Sequence, residues 1–330
     1  MFSRLWVILV LLFALIATPC FSQDLTNDLG KIQGQINDNI GINGGYYVPD
    51  ANGMINPATI PDMGEIGFQT CSSASVGKTN LPTGVVDFWT GGAMAKIGKN
   101  LFASGYIYSS TGQVILDNRI PLAGYGLDTR LDATEVCLGY KVSKKLSVGA
   151  AWQTENGSTN LSAGGANLAN IRSESSMDYR IGAQYKLSDQ WKVGTLFTNR
   201  TDKIHITAFP ALTGAPDNID LSGKYRSRSW IHGITFNPVR GTSLFYNQQF
   251  SEFRSPDGST TNVNYPYWGI QQYITPEWNV KFEEWDSYPG LSVNYLNQQG
   301  WFGSIYYRKN KDLPGFGKSD TIFLTAGKYF

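Results

Sequence analysis

Long stretches of the chain alternate between apolar and polar positions. From Leu146 to Gln153 one face reads Leu146, Val148, Ala150, Trp152 and the other Ser147, Gly149, Ala151, Gln153. From Tyr179 to Leu187, the residues Tyr179, Ile181, Ala183, Tyr185 and Leu187 alternate with Arg180, Gly182, Gln184 and Lys186. A period of two residues marks an extended strand, whose successive side chains point to opposite faces. In a soluble sandwich the polar face meets water and carries more charge than Gly and Gln. The pattern instead suits an all-β fold, a transmembrane antiparallel β-barrel with an apolar outside and a polar lumen.

The hairpins repeat. YKVSKKLSVG (140–149) matches YKLSDQWKVG (185–194). Related tight turns fall at 98–100, 237–241, 275–277 and 298–300, and between them lie longer Gly-, Ser-, Asn-, Asp- and Pro-rich stretches at 117–129, 157–172, 209–220, 255–261, 286–290 and 310–318. Short turns at one end and long loops at the other are the asymmetry of outer-membrane barrels. The predicted strands are 64–76, 83–97, 101–116, 130–142, 145–156, 173–187, 190–208, 222–237, 241–254, 262–274, 277–286, 291–297, 300–309 and 320–330. That is fourteen, an even number, with both ends on the short-turn side; twelve is the alternative if the first pair or the 291–309 hairpin fails.

The chain ends change the picture in two ways. Arg4 precedes an apolar run from Leu5 to Ala17, too short for the ~20 residues of a membrane-spanning helix. With Ser22 as the small residue before the cut, residues 1–22 read as a secretory signal peptide. Its loss takes one base from 27 and leaves the 26 acids matched by 26 bases. At the other end TIFLTAGKYF alternates up to Phe330, a terminal aromatic of the kind that barrel-assembly machinery reads. The implied location is the outer membrane of a diderm bacterium, among its lipid and lipopolysaccharide.

Composition agrees. Charged residues are 16% and aromatics 13%, with a net charge of +1 for the full chain, which excludes a disordered chain and a basic nucleic-acid binder. Three cysteines do not make a disulfide scaffold; after export Cys71 and Cys137 remain, both within strands. Enzyme chemistry lacks its parts. His205 and His232 are the two histidines, and Ser229 lies three residues before His232, which puts the pair on opposite faces of a strand. No metal-ligand spacing or phosphate loop is present, so no cofactor is called for.

Spacing alone brings two lumen residues together. Glu135 and Arg180 each lie about eight residues above a short turn, on the polar phase of their strands, and the strand between offers small or modest Ser147, Gly149, Ala151 and Gln153. The two side chains can meet over that floor. Two readings follow: a structural ion pair that satisfies both charges, or an Arg180 that meets a ligand carboxylate.

Residues 23–63 do not alternate and are rich in Asn, Gly and Pro. Either they form a disordered tail or they plug the lumen, since ~8 strands is already the limit that wall side chains fill. Here the sequence resembles a known family. GGYYVPDANGMINPATIPDM (44–63), with Gly44, Gly45, Tyr47 and Val48 and then Asn56, Pro57 and Ala58, resembles the N-terminal segment of FadL-type outer-membrane transporters of long-chain fatty acids and other hydrophobic compounds. YKLSDQWKVGTLF (185–197), ITFNPVRGTSLFYNQ (234–248) and the strand count resemble it too. The resemblance implies three domains: a signal peptide at 1–22, a lumenal hatch at 23–63 and a barrel at 64–330. It further implies a hydrophobic ligand bound from outside, and release through a gap near a kinked third strand, by analogy 101–116, where Gly105 or Gly112 marks the kink. Leu161–Ile171 and Ala208–Pro216 are the loops best placed for first docking. The reading is a passive transporter of hydrophobic, fatty-acid-like molecules. Its rivals are a general diffusion porin and a structural or secretion-accessory barrel.

Overall fold

A computed structural model of the chain describes residues 56–61, 70–81, 84–115, 125–163, 165–210, 217–239, 241–275, 277–285, 288–296, 301–309 and 320–329. The strands are β1 (Thr70–Leu81), β2 (Gly84–Lys96), β3 (Leu101–Ile115), β4 (Tyr125–Lys141), β5 (Leu146–Ala163), β6 (Ala166–Lys186) and β7 (Trp191–Ala208). They continue as β8 (Ile219–Phe236), β9 (Thr242–Arg254), β10 (Thr260–Tyr273), β11 (Trp278–Trp285), β12 (Tyr288–Leu296), β13 (Trp301–Lys309) and β14 (Asp320–Tyr329). Each pairs antiparallel with its neighbours in sequence, and β14 pairs with β1 to close a barrel of fourteen strands. The count of twelve is thereby set aside. The signal peptide, Gly44, Gly45, Tyr47 and Phe330 lie outside the described residues.

The pattern of burial is that of a soluble protein turned inside out. Ser147, Gln153, Asp178, Gln184, Asn247 and Asn294 are buried, while Val136, Leu138, Trp152, Ile181, Trp230 and Ile305 are exposed. Both sets alternate along the same strands, so polar residues face the lumen and apolar residues face outward, as lipid requires. Aromatic rings pair across strands on the outer face: Trp191 on Phe236 at 4.2 Å and Phe197 on Trp230 at 4.4 Å between ring centroids.

The repeated turn has a mechanism. In the β4–β5 turn the Ser143 hydroxyl accepts from the backbone N–H of Lys145 and Leu146, at 3.2 and 3.1 Å. Ser188 does the same for Gln190 and Trp191, and Thr275 for Glu277 and Trp278. A short side chain that caps its own turn fixes the hairpin register.

The expected long loops need correction. Residues 125–129 of the first expected loop and nearly all of 157–172 are strand, because β4 begins at Tyr125 and β5 and β6 run on to a tight turn at Gly165, where φ is 82°. Ser and Asn disfavour strands weakly, and a neighbouring ladder that takes up every backbone group outweighs them. The result is a lopsided barrel. Strands β4 to β8 are 17 to 21 residues long, whereas β11, β12 and β13 have 8, 9 and 9.

The third strand, expected to kink at a glycine, carries no bulge there. β3 pairs through Gly105 and Gly112 with both neighbours without a register shift. A Cβ at Gly105 would lie 3.7 Å from the Glu135 carbonyl oxygen, an ordinary contact. Glycine permits a bulge, but a bulge needs an extra residue, and the ladder here has none. The register shifts fall on β6 instead, one of them between Glu174 and Met177 against β7.

Candidate functional site

The lumen is built on a row of glycines. Gly139 of β4 stands opposite Gly149 of β5, which stands opposite Gly182 of β6. These three carry no side chain into the barrel, and a short segment of the N-terminal region fills the space. Asn56 caps a single 3₁₀ turn, Pro57–Thr59, by accepting the Ala58 N–H at 3.0 Å on its side-chain oxygen. Pro57 sits at the first turn position, where its fixed φ helps and its missing N–H costs nothing. Asn56 Nδ2 donates to the Thr195 carbonyl of β7 at 3.2 Å. All of Asn56–Pro61 is buried. A Cβ at Gly149 would fall on the carbonyl of Pro57, one at Gly182 on the side chain of Asn56, and one at Gly139 2.6 Å from Pro61 Cδ. The glycine row is therefore a socket shaped for this turn.

One row above the glycines lie Cys137, Ala151 and Arg180 of β4, β5 and β6, and one row higher lie Glu135, Gln153 and Asp178. Arg180 Nη2 donates to Glu135 Oε2 and, at 3.2 Å, to Gln153 Oε1. The Cys137 thiol donates to the other Glu135 oxygen at 2.7 Å. The small Ala151 is what lets Arg180 and Glu135 meet across β5. Beside them Arg200 of β7 grips Glu155 with two nitrogens, at 2.8 and 3.2 Å, and holds Asp202 with Nε. Three carboxylates, those of Glu135, Glu155 and Asp202, thus share two guanidinium groups, and a fourth, Asp178, lies in the row of Glu135 with its Oδ1 unbonded among the described residues. Arg180 is 0% exposed.

Solved structures with this architecture were found by comparison. The chain matches the CymD monoaromatic hydrocarbon channel at 15% identity and a TM-score of 0.54, over 92% of this chain and 96% of that one. The Pseudomonas putida toluene transporter TodX matches at 12% identity and 0.52, over 89% and 96%. A Pseudomonas aeruginosa FadL homologue matches at 12% and 0.52, over 84% and 91%. The fold is that of the FadL-type channels. No family model and no curated protein matches the chain.

In this FadL-type barrel the tall strands continue the lumen phase upward. Two residues above Asp202 comes Ile204, then Ile206. Ile171, Ile206 and Leu221 stand opposite one another across β6, β7 and β8, and Leu161 lies one row further up. Leu221 is 60% exposed. The β9–β10 loop leans onto this face, with Pro256 Cγ 2.5 Å from where a Cβ on Gly223 would be. The mouth on this side is apolar directly above the charged cluster. Of the loops expected to dock a ligand first, Leu161–Ile171 supplies part of this face, and most of Ala208–Pro216 lies outside the described residues.

The opposite wall holds a group that the sequence reading missed. Lys281 and Glu283 of β11 form a buried ion pair. Tyr267 donates to Glu283 at 2.6 Å and accepts from Lys281 at 2.9 Å, and Lys281 Nζ lies 5.1 Å from the Phe245 ring centroid. The signal was a Lys-x-Glu step on the lumen phase of a short strand. Elsewhere Ser229 faces inward and His232 outward, with His232 Nδ1 3.1 Å from the Thr195 hydroxyl, so they make no catalytic pair. Among the described residues no group of His, Cys, Asp and Glu is arranged to hold a metal.

Proposed function

We propose that the chain, exported and freed of residues 1–22, is an outer-membrane channel for uncharged hydrophobic molecules. Residues 23–63 act as its hatch, with Asn56–Pro61 of that segment seated on the glycine socket. The apolar belt and the fold shared with hydrocarbon and FadL-type channels support the membrane and the hydrophobic cargo. The observation that carries the choice of an uncharged cargo is the cluster beneath the apolar mouth. There four carboxylates outnumber two arginines, both already engaged. A fatty-acid carboxylate arriving from the mouth meets net negative charge at close range. A hydrocarbon meets no such penalty and gains ~0.8 kcal/mol for each methylene it buries. Release sideways into the membrane is part of the proposal, with the β6 register shift near Glu174–Met177 as its place in the wall.

The test is uptake into proteoliposomes of an aromatic hydrocarbon and a long-chain fatty acid, alongside single-channel conductance. Hydrocarbon uptake with little ion current is the expected result, and deletion of 23–63 should open a steady current. A large current through the intact protein with no uptake of either compound would make it a porin. Fatty-acid uptake abolished by Arg180→Met, with the fold intact, would restore the carboxylate reading.

A further inference from the structure

On the outer face of the tall side, the apolar positions give way to cations. Along β8 the outward phase reads, going up from Trp230, Arg228, Arg226 and Lys224, all exposed. The neighbouring strands add to them. Arg226 stands opposite Arg254 of β9, and Lys224 stands opposite Lys203 of β7. Like charges directly opposed across a ladder destabilise it unless an anion lies between them. The acidic positions of the same rows are Glu252, opposite Arg228, and Glu174, opposite Lys203 in register. Five cationic positions therefore stand against two acidic ones in the register, and Thr201, not an acid, flanks Arg226 on its other side. Directly below this patch, Trp230 stands opposite Phe250 and against Phe197, all on the outward phase.

We propose that this face binds a phosphorylated glycolipid of the outer leaflet, its acyl chains along Phe197, Trp230 and Phe250 and its phosphates among the cations above. The proposal rests on the outer-membrane reading. Two features select this occupant. The patch lies on the side of the aromatic row away from the short turns and the chain ends, where the outer leaflet would be. It also spans five residues of β8, from Arg228 to Lys224, or ~13 Å along the strand over four steps of ~3.3 Å. That length suits a headgroup with two separated phosphates better than a single phosphodiester. Arginine supplies the forked donors that phosphate favours.

The test uses the full barrel purified in detergent and titrated with diphosphoryl lipid A, its dephosphorylated form and phosphatidylglycerol, with bound lipid read by native mass spectrometry. The wild type should bind diphosphoryl lipid A at least tenfold better than either comparison lipid. The triple variant Lys224→Gln, Arg226→Gln, Arg254→Gln should lose that preference while keeping the heat-resistant gel mobility of a folded barrel. If the triple variant does not fold, Lys203→Gln with Lys224→Gln should reduce the preference by itself. Equal binding of all three lipids, or an unchanged preference in the folded variants, overturns the proposal. Hydrophobic uptake is not read in this assay, so failure of the transport reading would leave the result standing.

Discussion

The tall side of the barrel, β4 to β8, and the low side, β9 to β13, solve the same problem differently. Both line the lumen with buried charge, Arg180 with Glu135 on one side and Lys281 with Glu283 on the other. The low side fills its own space: Phe245 packs where a Cβ on Gly269 would go, and Tyr267 bridges the ion pair. The tall side leaves space empty of side chains at Gly139, Gly149 and Gly182 and takes Asn56–Pro61 into it. One wall is closed by its own residues and the other by a separate segment of the chain. A channel that must open has reason to keep the two apart.

The largest way to break this contrast is to fill the socket. Gly149→Leu should unseat the turn and raise single-channel conductance to that of the 23–63 deletion. Gly269→Leu on the low side should disturb Phe245 and leave the conductance at its wild-type level. Equal currents from the two variants would mean that the walls do not differ in this way.

Next in size are the ion pairs. Arg180→Met strands Glu135 in a buried site and should cost about 3–5 kcal/mol in urea unfolding. Adding Glu135→Gln should recover most of it. Lys281→Met should cost less, because Glu283 keeps the Tyr267 hydroxyl. A smaller effect is expected at the mouth. Leu221→Asn or Ile206→Asn should slow hydrocarbon uptake roughly fourfold for each methylene contact of ~0.8 kcal/mol lost, without changing conductance. The smallest lies in the β6–β7 turn, where the hydrogen bond and charge of Lys186 hold the Asp189 carboxyl below its ordinary range. A depressed carboxyl stabilises above its unfolded pKa, ~3.9, and the effect fades as pH falls through the folded value. Asp189 is fully exposed. Any difference between Asp189→Asn and wild type in melting temperature at pH 7 should therefore be barely resolved and should vanish in acid.

The wall was legible because lipid imposes a period of two that neither turns nor loops imitate. Each end of the β4–β5 and β6–β7 hairpins was marked by the same Ser-capped turn. The meeting of Arg180 and Glu135 was legible for the same reason: equal height above matching turns, across a small residue. Four things were not. The tips of β5 and β6 have the composition of a loop and are strand because their neighbours pair with them. Gly105 looked like a kink and sits in an unbroken ladder. The socket escaped notice because Gly139, Gly149 and Gly182 are unremarkable singly; the lateral register of three strands makes them a row. The Lys281–Glu283 pair depended on Tyr267 of another strand and gave little local sign.

The seat of Asn56 also sets an order of events. Its backbone partner, Thr195, is 139 residues away in sequence, yet β4 to β7 are complete well before β14 has been made. The barrel has no interior until β14 meets β1, and a turn left outside at that moment would have to thread a closed cylinder. Docking on the still open sheet would avoid that and would make β14 pairing with β1 the last step. If the hatch governs passage as proposed, the same contact would then also be one that the chain has to make before the barrel closes.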